Sequence, residues 1–173
     1  MLTFAGDAEY SPEAQLRLQA LMEVLNIKVN EVLREQKGLI YSGGFHGALH
    51  KQPYGAYSIS LNLPCGPDNV DKVVAAALEE IRKVQENGPE AADLAKVKEG
   101  WSKGDLRAMR ENGHWLSHLQ AVQQDGRDPE AILTRVARGN AVTAQDVQAT
   151  AKRYLDLENY VQMVLKPEPK AGE

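Results

Sequence analysis

The chain has 173 residues, 43% hydrophobic and 25% charged, the profile of one soluble globular domain that can bury about 70% of its extended-chain surface. Its 24 acidic residues outnumber 20 basic ones, a formal charge of −4, which argues against non-specific nucleic-acid binding. A single cysteine, Cys65, excludes a disulfide framework or multi-cysteine zinc site, and no window reaches the roughly 18 apolar residues of a membrane span.

Taken in chain order, Leu2 to Gly6 alternates weakly and reads as a short strand. It begins at once after Met1, with neither the basic region nor the apolar run of a secretory signal. Ser11 and Pro12 then supply an N-cap and a first-turn proline, with Glu13 in the positive first turn. Leu18, Leu21, Met22, Leu25, Val29, Val32 and Leu33 follow at spacings of three and four, which predicts one long helix ended by Gly38.

Two strands are expected next. One runs from Leu39 to Phe45, with Gly43 and Gly44 as a bulge or close-approach point. The other runs from Tyr54 to Leu63, with Tyr57, Ile59, Leu61 and Leu63 on one face. The polar link from His46 to Pro53 makes them an antiparallel hairpin, and Pro64-Cys65-Gly66-Pro67 ends the second strand.

The remainder reads as helical. Val70 to Val84 forms an amphipathic helix ending at Gly88, and Pro89 opens another that Asn112-Gly113 should interrupt. Asp128-Pro129 starts a short helix ending near Gly139. Thr143 and Asp146 form a capping box for a helix to Leu155. Asn159 to Leu165 is a closing strand, and residues 167–173 a polar tail. The fold class is therefore α+β, a single domain over residues 1–166. It has a mainly antiparallel four-stranded sheet with helices packed on one face. Its open edge could pair with another copy, giving a homodimer.

The histidines pair at i, i+4, as His46 with His50 and His114 with His118. In a His-x-x-Glu-His zinc motif the fourth position is glutamate, but Leu49 and Ser117 stand there. His46 and His50, at a strand end and loop, would also lie roughly 13 Å apart. No metal ligands are assigned. Cys65 has no histidine near it in sequence to generate a thiolate and reads as structural. The glycines at 38, 43, 44, 47 and 55 match no phosphate-binding spacing.

A more informative group straddles the end of the first helix. Arg34 falls in the last turn, where a cation also suits the negative helix end. Tyr41 follows Gly38, with a hydroxyl able to donate to a carbonyl or oxyanion. The turn at Gly38 lets both side chains face a common space, whether to meet substrate or to serve structure alone.

The run Leu33-Arg34-Glu35-x-x-Gly38-Leu39-x-Tyr41-Ser42 resembles the hallmark of the second, inactive-type domains of the pitrilysin/insulinase zinc metallopeptidases. Cys65 to Lys72 is similar to that family's strand-to-helix passage, and Val142 to Leu155 resembles its closing helix. The resemblance covers residues 10–167 and is strongest to bacterial periplasmic zinc proteases. It implies a non-catalytic, substrate-binding C-terminal domain of a zinc endopeptidase, hydrolysing peptides in the periplasm. The zinc and its His-x-x-Glu-His motif would lie in N-terminal domains of the same polypeptide; this chain, lacking that motif, should be inactive alone. By the same carry-over, Tyr41 would bond the scissile carbonyl and Arg34 the peptide carbonyls beside it. The alternative is a purely structural or interaction domain of a catalytically inactive homologue.

Overall fold

The computed structural model describes residues 1–126 and 128–168. Four strands, β1 (Leu2–Asp7), β2 (Gly44–His50), β3 (Ala56–Asn62) and β4 (Val161–Gln162), form one sheet in the order β2-β3-β1-β4. Every neighbouring pair is antiparallel. The helices are α1 (Pro12–Lys28), α2 (Val70–Asn87), α3 (Ala91–Ala108), α4 (Asn112–Asp125), α5 (Ala131–Ala141) and α6 (Ala144–Tyr154). This is the α+β arrangement expected from the sequence.

Alternation decides which face of the sheet is covered. Leu2, Phe4, Phe45, Leu49, Ile59 and Leu61 are buried, and with Leu18, Leu21 and Leu25 of α1 they form the core. The residues between them, such as Ala5, His46 and Ser58, are exposed on the other face. A two-residue side-chain period allows only this split.

The expected first helix is present, but its last two turns are wound differently. After Lys28 the chain continues as a π-helical segment over Val29–Gln36, with the Lys37 amide donating to the Val32 carbonyl five residues back at 3.0 Å. Gly38, at φ 59°, then reverses the chain, its amide donating to the Arg34 carbonyl at 3.1 Å. Such a left-handed position favours glycine.

Two strand expectations need correction. Residues 39–43 are irregular, and β2 starts only at Gly44, opposite Asn62. Pro64 ends β3 there, so the earlier apolar residues have no neighbour to pair with; Ile40 instead turns into the core. His46 and His50 consequently stand within β2, on its exposed face, rather than at a strand end and loop. The closing strand is also shorter than Asn159 to Leu165. Its last bonded partner is Met1, which accepts from the Met163 amide at 2.8 Å. Of the expected polar tail, residues 169–173 lie outside the described residues.

The Thr143 capping box is present. The Asp146 amide donates to the Thr143 hydroxyl oxygen at 3.1 Å, and the Thr143 amide returns to the Asp146 carboxylate at 2.9 Å. The Thr143 hydroxyl, the Thr143 amide and the Arg17 charge hold the Asp146 carboxyl below its ordinary pKa. A depressed carboxyl stabilises the fold above its unfolded pKa and loses that contribution as pH falls through the folded value. Thr143→Ala should lower stability by about 1 kcal/mol in urea unfolding. The deficit should shrink in acid, where the wild-type carboxylate is itself neutralised.

Candidate functional site

Arg34 lies on the π-helical segment and Tyr41 in the irregular stretch before β2. The reversal at Gly38 brings them together: the Arg34 guanidinium carbon lies 5.7 Å from the centre of the Tyr41 ring. Contact of a cation with an aromatic face at that range is attractive. Tyr41 is nevertheless 84% exposed, an unusual placement for a tyrosine that serves only packing. Neither the phenol nor the guanidinium hydrogen-bonds to another described residue. The result is two adjacent donor groups facing solvent, with no acceptor of their own.

Asn26 anchors the start of β2, just after Tyr41, to α1. Its carboxamide bonds both main-chain groups of Phe45: the Phe45 amide donates to Oδ1 at 2.6 Å, and Nδ2 donates to the Phe45 carbonyl at 3.0 Å. Helix α1 thereby holds the start of β2, and Tyr41 hangs four residues before that clamp. A side chain at Gly44 would meet Asn26 Oδ1 at 2.6 Å, which explains glycine there. Sequence reasoning passed over Asn26. The available signal was a carboxamide one turn after Met22 and beside Leu25, inside an otherwise apolar face.

The other candidates do not assemble. His50 shares a hydrogen bond with the Ser58 hydroxyl at 3.1 Å. His118 Nε2 donates to the Pro129 carbonyl at 2.9 Å, which occupies that nitrogen. His114 and His118 line a cavity of about 680 Å³ that α4 shares with α1 and α5. Among the described residues no three histidine, cysteine or carboxylate groups converge as metal ligands. A zinc site needs three or four such donors, so the described residues do not fit one. Cys65 is half-buried and free. No helix among the described residues is long and apolar enough to cross a membrane.

Comparison with known proteins gives a consistent result. A family model described as the peptidase M16 inactive domain matches residues 1–100. A curated Arabidopsis thaliana protein, "Zinc protease PQQL-like", is 32% identical over 106 residues, 57% of this chain and 11% of that protein's length. Among solved structures, the periplasmic protease PqqL from Escherichia coli superposes with a TM-score of 0.73 at 19% identity, covering 89% of this chain and 17% of PqqL. A peptidase M16 inactive domain from Pseudomonas fluorescens superposes with a TM-score of 0.67 at 17% identity, covering 96% of this chain and 42% of that one.

Proposed function

This chain belongs to the peptidase M16 inactive-domain family, and from that premise we propose that Arg34 and Tyr41 bind the peptide backbone of a protease substrate. The domain, taken as residues 1–166 with the tail beyond, works beside N-terminal domains that carry the zinc, in a parent protein acting in the periplasm. The observation that carries this reading is the exposed pair itself. A guanidinium and a phenol lie 5.7 Å apart, Tyr41 being 84% exposed.

A peptide backbone presents carbonyl acceptors at regular intervals. Arg34 supplies a planar fork of up to five N–H donors. Tyr41 supplies one O–H donor that can follow a carbonyl oxygen as it gains negative charge. Arg34 therefore orients the chain, and Tyr41 strengthens its bond as the oxyanion develops.

The test uses the parent polypeptide with its zinc-bearing domains. Arg34→Ala should raise KM about tenfold or more with a smaller change in kcat, the loss of one charge-assisted bond of about 1.5–3 kcal/mol. Unchanged peptide kinetics would leave Arg34 as a helix-end charge and favour the purely structural reading.

A further inference from the structure

We propose that Asn26 is a positioning residue for the Arg34–Tyr41 pair, holding the two donors where one peptide backbone can engage both. The proposal rests on the substrate-binding reading above. Arg34 belongs to the π-helical segment that continues α1, and Tyr41 to the approach to β2. Their separation therefore depends on how helix and sheet are joined on either side of them. At the Gly38 end the join is local: the Gly38 amide donates to the Arg34 carbonyl at 3.1 Å and the Leu39 amide to the Leu33 carbonyl at 2.8 Å. At the far end it is Asn26, whose carboxamide engages both main-chain groups of Phe45. Tyr41 lies between these two ties.

Pairing within the sheet does not replace the second tie. The ladder sets Gly44 opposite Asn62 and Phe45 opposite Leu61, which fixes β2 against β3 but not against α1. Leu25, Leu33 and Phe45 share the core, yet apolar burial is non-directional and tolerates sliding. A donor and an acceptor on one side chain fix orientation as well as distance. The helical side of the clamp is itself held, because the Asn30 carboxamide donates to the Asn26 carbonyl at 3.0 Å, one turn before Arg34.

Gln15 supplies an internal contrast. About three turns earlier on α1, its side-chain oxygen accepts from the Leu49 amide at 2.8 Å. The same helix thus bonds the same strand through a second carboxamide, at the end of β2 away from Tyr41. Losing Gln15 removes a helix–strand bond of the same kind without opening the loop from Asn26 to Phe45. A purely structural role for Asn26 would make the two residues equivalent.

The test has two arms. In the 173-residue chain, the Tyr41 ring should shift the Arg34 side-chain proton resonances upfield, since the guanidinium lies over its face. Asn26→Leu keeps the bulk and removes both bonds, and should lose that shift; Gln15→Leu should keep it. Asn26→Ala, which leaves water free to bond Phe45, decides the matter should the leucine variant not fold. In the zinc-bearing parent protein, the same Asn26 variants should lower kcat/KM for peptide cleavage about tenfold or more, the scale expected when a substrate-contacting group is displaced by about 1 Å. Gln15→Leu should leave it unchanged. In a Tyr41→Phe background the Asn26 change should cost much less, because a residue acting through Tyr41 has little left to position. An unaltered Arg34 shift in a folded Asn26 variant, or an equal loss in Gln15→Leu, would overturn the positioning role. So would an effect on kcat/KM that is undiminished in the Tyr41→Phe background. A lost shift with full activity in Asn26→Ala and Tyr41→Phe alike would keep Asn26 as the residue that places the pair and remove the substrate-binding reading instead.

Discussion

Tyr41→Phe in the zinc-bearing parent protein should lower kcat for peptide cleavage by about 2–4 kcal/mol, roughly 30- to 1,000-fold, with little change in KM. The substitution removes one hydroxyl and leaves the ring against Arg34. Within the domain that hydroxyl has no partner among the described residues, so its loss leaves no buried group unsatisfied. Stability should stay within about 0.5 kcal/mol of wild type. Any fall in rate then belongs to the substrate oxygen the phenol served rather than to folding. The effect should fall on kcat because a neutral ground-state carbonyl accepts a weaker bond than the developing oxyanion. Arg34→Lys makes a useful companion: it keeps the cation but loses the fork, so it should recover only part of the binding lost in Arg34→Ala. Full activity in Tyr41→Phe would reduce this domain to a structural role.

Features governed by local chemistry were legible in the sequence. Ser11 caps α1 by accepting from the Ala14 amide at 3.1 Å, Gly88 ends α2 at φ 75°, and the Thr143 box opens α6. Each depends on residues within a few positions of one another. The start of β2 was not legible, because it depends on distant residues. Leu39 to Phe45 has strand-like composition, but the end of β3 and the Asn26 clamp determine where pairing begins. Sequence placed Arg34 and Tyr41 on either side of Gly38. The π-helical winding that carries Arg34 leaves no mark in an apolar pattern that suits an ordinary helix equally well. Nothing in the sequence groups Lys28 with Glu90 and Asp93, since their spacing shows nothing of the meeting of α1 with α3.

That meeting gives the second large prediction: Asp93→Ala should destabilise the fold by about 3 kcal/mol, read as a lower urea midpoint at unchanged m. The Asp93 side chain is 2% exposed and its carboxylate lies 2.7 Å from the Lys28 ammonium, itself 12% exposed. Glu90 approaches the same ammonium at 2.7 Å from a far more exposed position. Burial works against the Lys28 charge, but the Asp93 and Glu90 carboxylates outweigh it and raise the pKa above its ordinary 10.5. A raised lysine stabilises the fold fully below its unfolded pKa and loses that contribution only as pH climbs through the folded value. The deficit in Asp93→Ala should thus be constant from neutrality to about pH 10. Lys28→Met should cost a similar amount by leaving the buried carboxylate only the Lys96 ammonium at 3.6 Å, whereas Lys28→Met with Asp93→Leu should recover much of the loss, because an apolar pair needs no desolvation of charge. Lys28 is also the last residue of α1, immediately before the segment that carries Arg34. Losing the Asp93 contact leaves Lys28 to the more exposed Glu90 and Glu31 and loosens the base of that segment. Asp93→Ala in the parent protein should therefore weaken peptide binding as Arg34→Ala does, and the double variant should show less than the sum of the two effects.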